Sequence, residues 1–187
     1  MNTLTFHCEI EQIADWHPHL FLEPHIVACV AVLSQYSRSP AILEVDCTDI
    51  VCEWLGQESQ FRLEISWTEE LAAKAERLRF TMQSKSLVEL SAIALASILV
   101  SRIVLLGQLD VTNYGERADY RSVDVPSVLE ISGTESLSEI TRRHREKIAQ
   151  ALENPLGLDA YVVICGFSDE KHRIRFSYHR WQHSSEV

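Results

Sequence analysis

The stretch that most limits how this chain can fold is Leu87 to about Val104. From Leu87 to Val100 only Glu89, Ser91 and Ser97 interrupt an apolar run. A helix that is apolar all round has to be covered all round. A membrane would cover it, but a span takes about 20 residues, and Glu89 and Arg102 confine this run further. The expectation is therefore a buried helix and no membrane contact. Ala92, Ala94, Ala96, Ser97 and Ser101 keep its surface small, so a sheet or a second helix can approach closely. The chain has 187 residues, 46% of them hydrophobic, with only 6 Gly and 5 Pro. That is enough for one sizeable core, either one domain or a domain with an appendage.

What surrounds the helix reads as strands and further helices. Thr3 to Glu9, Ala41 to Asp46 and Phe61 to Trp67 alternate apolar and polar residues, as half-buried strands do. His25 to Tyr36 is ambiguous, because its β-branched content favours a strand and its length a helix. Thr68 suits an N-cap for a helix from about Glu69 to Met82, with acid in the first turn. Ser86-Leu87-Val88-Glu89 and Ser136-Leu137-Ser138-Glu139 each fit a capping box, opening the apolar helix and a basic helix that ends near Leu152. Gln108–Thr112 and Arg117–Val123 read as strands around a turn at Asn113–Glu116. Val128–Ile131 and Ala160–Phe167 read as buried strands, and Arg173–His179 as a half-exposed one. The fold class is therefore α/β, with α+β as the alternative: a mixed central sheet flanked by helices. Residues 1–67 form a β-rich N-terminal unit packed on a core of residues 68–187.

Charge divides along the same line. Residues 1–70 carry Arg38 and Arg62 against twelve acidic residues, whereas the remainder balances, so the entire net charge of −10 lies at the front. An acidic unit repels phosphate but can meet a protein partner, while the later half is free to present a basic face to nucleic acid. Arg173, Arg175 and His179 share one strand face near Tyr178 and Trp181, which suits nucleic acid or an acidic patch on a protein, with a solvated strand face as the default reading. Five scattered cysteines without a CxxC pair, and an opening that lacks a basic segment and an apolar run, point to reduced thiols in a cytoplasm.

The chemistry concentrates between Arg117 and Ser132. Asp119 falls on one strand and Glu130 on the next, with a turn at Asp124-Val125-Pro126 between them. Neighbouring strands lie about 5 Å apart, and two carboxylates that close require a shared cation, a proton or a basic partner. The alternative is ion pairing with Arg117 and Arg121. The order helix, strand, strand with Asp, strand with Glu, helix, strand resembles the core of the PD-(D/E)XK nuclease superfamily over roughly residues 85–180. That resemblance implies a restriction-endonuclease-like core, with Asp119 and Glu130 holding Mg²⁺ or Mn²⁺. It also makes Glu89 the acidic residue on the first helix, although the capping box explains Glu89 without it. The superfamily's lysine position is taken by Ser132, so the pattern is E-x-S in place of E-x-K. Lys147 or Arg143 on the following helix would then supply the missing charge. What is implied is a metal-dependent nuclease-like protein with a degenerate site, acting on nucleic-acid phosphodiesters. The alternative is an inactive nuclease fold that serves partner binding.

His144 falls on the apolar stripe of the basic helix and reads as a core or rim histidine, or as a base. Ser132-Gly133-Thr134-Glu135 can be a plain loop or an anion-binding turn at a helix start.

Overall fold

The computed structural model describes residues 4–112, 118–169 and 171–181. In chain order the elements are β1 (Thr5–Glu9), α1 (Ile13–Trp16), α2 (Glu23–Leu33), β2 (Ala41–Thr48), β3 (Gln60–Ser66), α3 (Glu69–Arg79), α4 (Ser84–Arg102), β4 (Leu109–Val111), β5 (Tyr120–Ser122), β6 (Ser127–Thr134), α5 (Ile140–Leu152), β7 (Asp159–Phe167) and β8 (His172–His179). The eight strands make one mixed sheet in the order β1-β3-β2-β8-β7-β6-β5-β4. The protein is a mixed α/β fold.

Half of this sheet is local. β4, β5 and β6 form an antiparallel run, and β6 crosses over through α5 to the parallel strand β7. The turn expected at Asn113–Glu116 and the expected strand start at Arg117 lie outside the described residues. The other half is assembled over long separations, with β2 parallel to β8 and β1 parallel to β3. Residues 1–67 thus extend the same sheet, and Val30, Leu43 and Leu63 share one core with Leu95 and Phe176.

The segment 1–67 is less purely β than its sequence suggests. The ambiguous run from His25 lies mostly within α2, whose first turn holds Pro24 and whose Ala28–Leu33 are all buried. It packs against α4, the apolar helix. Helix α4 is long and apolar enough to cross a membrane, yet 61% of its most apolar window is buried inside the protein. Its cover is α2 on one side and β6 with β7 on the other.

Strand β6 sorts its side chains by the period of two. Leu129 and Ile131 join the α4 core, while Val128 joins Val162, Ile164 and Ile140 in a second cluster with α5. Glu130 falls in the same alternation as Val128, and this turns its carboxylate toward α5.

Two capping boxes are not used as such. Helix α4 begins at Ser84 after Gln83, two residues before the expected cap, which leaves Ser86 inside the helix. At the other, a 3-10 turn (Leu137–Glu139) precedes α5, and the Ser136 hydroxyl pairs with Ser138. Thr68, by contrast, does cap α3, accepting from the Leu71 N–H at 3.3 Å.

Candidate active site

Asp119 sits one residue before β5. Its N–H donates to the Leu129 carbonyl (3.2 Å), extending the ladder in which Tyr120 faces Leu129. One step along that register sets Asp119 opposite Glu130, and directly opposed residues project to the same face. The Asp119 Oδ2 accepts the Ile131 N–H at 2.8 Å, which fixes the carboxylate against β6.

Helix α5 returns over this pair and brings Lys147 with it. Lys147 Nζ lies 2.5 Å from Glu130 Oε2 and 3.3 Å from Asp119 Oδ2. Its stem runs along the sheet-facing edge of the helix, so the long side chain delivers its charge inward. Glu130 is fully buried, and its Oε1 has no hydrogen-bond partner among the described residues.

One ammonium thus serves two carboxylates. Burial pushes the Glu130 carboxyl up to about 7, and the Asp119 charge adds to this, against the pull of Lys147. Burial also pulls the Lys147 ammonium down, but Asp119 and Glu130 outweigh it and its pKa is raised. Both directions follow from a net negative cluster in a dry setting.

Arg143 lies one turn before Lys147 and joins the remaining residues. Its Nη1 donates to Ser132 Oγ (3.0 Å) and meets Glu89 Oε1 (3.4 Å), and its Nε donates to Glu139 Oε2 (3.1 Å). A guanidinium from the following helix therefore reaches the Ser132 hydroxyl. Glu89 does not act as a helix cap: its Oε2 accepts the Gly133 N–H at 2.9 Å, tying α4 to β6. Gly133 is needed there, because a Cβ would fall 2.3 Å from the Val88 carbonyl oxygen. The anion-binding turn expected at Ser132–Glu135 is internally occupied. Glu89 takes the Gly133 N–H, and Thr134 Oγ1 donates to Glu139 and accepts from the Ser136 N–H.

A cleft of about 200 Å³ opens beside the pair, lined by Glu89, Ile93, Asp119, Tyr120 and Ile131. The five sequence-derived site residues form two sets, Asp119–Glu130–Lys147 and Glu89–Arg143, each joined by contacts of 3.4 Å or less, and Glu89 and Asp119 line the same cleft. Gly133 and Glu139 belong to the second set. Neither has a sequence signal beyond its place in a loop and in an apparent capping box.

His144 belongs elsewhere. It is buried, its Nε2 lies 2.7 Å from Ser177 Oγ on β8, and burial, Arg175 and His179 lower its pKa to about 4. The basic face of β8 is partly neutralised, since Arg173 pairs with Glu44 (3.1 Å) and Asp46 (3.4 Å) of β2.

Among the described residues, no three His, Cys, Asp or Glu side chains group as ligands of one metal ion. The donor set at the cluster is two carboxylates. No family model matches the chain, and neither the curated proteins nor the solved structures contain a significant match.

Proposed function

We propose that the protein is a metal-dependent nuclease-like hydrolase of nucleic-acid phosphodiesters, built on a PD-(D/E)XK-type core with a rearranged site. The observation that carries this is the opposed pair Asp119 and Glu130, on adjacent strands, with Lys147 from the following helix against both. The order α4, β4, β5, β6, α5, β7, with β6 parallel to β7, supports the layout.

The residues fit a hard divalent cation such as Mg²⁺ or Mn²⁺. Mg²⁺ is ordinarily bound through one or two carboxylates plus water and substrate phosphate, and Glu130 Oε1 is a buried oxygen without a partner among the described residues. Asp119 and Glu130 would hold the ion, which when bound polarises the phosphoryl group and lowers the pKa of a water. The chain's own residues do the rest. Ile131 N–H and the strand register keep Asp119 facing Glu130. Lys147 supplies positive charge within the low-dielectric pair, and Arg143 offers a second cation at Ser132, where a planar fork can meet a phosphate. Glu89 orients that fork by its contact with Arg143 and joins it to β6.

Nucleic acid would approach from the later half, since surplus acid fills residues 1–70. A reducing cytoplasm suits the five free thiols, four of them buried. The test is cleavage of labelled single- and double-stranded DNA and RNA with Mg²⁺ or Mn²⁺. We expect metal-dependent hydrolysis that falls at least about 100-fold in Asp119→Asn and Glu130→Gln. Equal activity in both variants would refute it.

A second reading draws on one specific observation: the ammonium of Lys147 already neutralises part of the pair, and Ser132 carries no charge. The fold would then bind a partner through its acidic N-terminal unit. Absence of hydrolysis, together with capture of a basic protein by the wild type and not by a charge-reversed 1–70 surface, would select it.

A further inference from the structure

We propose that Lys147 is a latch: its ammonium closes the Asp119–Glu130 pair, and it must swing out before the pair can take a divalent cation. This rests on the metal reading above and adds how access to that site is controlled.

The geometry leaves little room for both charges. Lys147 Nζ sits 2.5 Å from one carboxylate and 3.3 Å from the other. An Mg²⁺ ion shared by the two would need oxygens at about 2.0–2.1 Å and would meet the ammonium in the same space. Like charges that close in a buried setting repel strongly. The existing pairing is also incomplete, because the single ammonium leaves Glu130 Oε1 without a hydrogen-bond partner among the described residues. The pair therefore keeps an unmet demand for positive charge that a divalent ion satisfies and a lysine does not.

The two cations on α5 differ in their freedom to move. Arg143 is held by Ser132, Glu89 and Glu139 together. The Lys147 ammonium, on a flexible four-carbon stem, is held among the described residues by the two carboxylates. The Lys147 side chain is itself 19% exposed and that of Asp119 37%, so the ammonium has solvent to swing toward. The same side chain would thus guard the pair and, once released, lend its charge beside it.

The consequence is an affinity penalty. A ligand that binds only the open fraction of a protein shows an apparent Kd raised by the inverse of that fraction. Removing the Lys147 ammonium would also let Glu130 take up a proton, so the swing is read on the wild type itself. Reductive methylation, read by mass spectrometry, should label Lys147 slowly alone and several-fold faster with saturating Mn²⁺, relative to Lys74. Lys147 labelling unchanged by bound Mn²⁺ overturns the latch and leaves the metal site standing. No Mn²⁺ binding, measured by loss of the free-ion electron paramagnetic resonance signal, overturns both.

Discussion

Replacing Lys147 by Met should destabilise the fold by an amount that depends on pH. The side chain keeps its length and burial, so the main loss is the ammonium beside Glu130. A buried carboxylate stripped of its partner can cost about 3–5 kcal/mol if it stays charged. Glu130 has a cheaper route, because its folded pKa is already about 7 against an ordinary 4.5. It takes up a proton. At pH 7.5 the full cost of holding it neutral is about 4 kcal/mol, and the wild type already bears about 3 of this. The variant therefore loses about 1 kcal/mol more at pH 7.5, about 3 at pH 9, and almost nothing at pH 6. Urea unfolding at these three values reads the differences directly. A loss of equal size at all three would refute the coupling of Lys147 to Glu130.

Two further outcomes follow from single contacts. Gly133→Ala drives a Cβ toward the Val88 carbonyl, so β6 must shift from α4; we expect a loss of about 1–3 kcal/mol by thermal unfolding, and an unchanged melting temperature would contradict the close approach. His144 has its folded pKa lowered to about 4 from 6.5. The unfolded chain therefore binds the proton first, and stability present above pH 6.5 is lost as pH falls toward 4, by up to about 3 kcal/mol. The neighbouring charged and titratable groups are Arg175 and His179. Glu130 acts in the opposite sense, since its raised pKa adds stability as pH falls from about 7 toward 4.5. His144→Asn should flatten the acid-side loss relative to wild type, whereas parallel pH curves for the two proteins would show that His144 does not titrate as described.

The parts of the site that were legible in the sequence are those decided locally. Asp119 and Glu130 face each other because a short antiparallel connection joins their strands, and such a register follows from few residues. Lys147 was legible as the border of an apolar stripe formed by Leu137, Ile140, Ile148 and Ala151, which had to face the sheet. Glu89 was obscured by its own context. Ser86 and Glu89 have the spacing of a capping box, yet the helix starts at Ser84 and the carboxylate turns to Gly133. Only the approach of β6 to α4, a tertiary fact, decides between these uses. Helix α2 was ambiguous for a related reason: a helix buried on nearly all sides shows no amphipathic period to separate it from a strand. The order of β1, β3, β2 and β8 was not legible either. It depends on parallel pairing between β2 and β8 across more than a hundred residues, which no turn signal marks. The same pairing sets Glu44 and Asp46 beside Arg173, and so tempers a strand face that looks basic when read alone.

The most direct measurement is Mn²⁺ binding followed by electron paramagnetic resonance at pH 8, where Glu130 is largely ionised, on the wild type, Asp119→Asn and Glu130→Gln. If the opposed carboxylates hold a divalent ion, the wild type binds Mn²⁺ at a saturable site and each variant, still folded by circular dichroism, loses it. Undiminished binding in both variants, or none in the wild type at millimolar Mn²⁺, would contradict a metal site at Asp119 and Glu130.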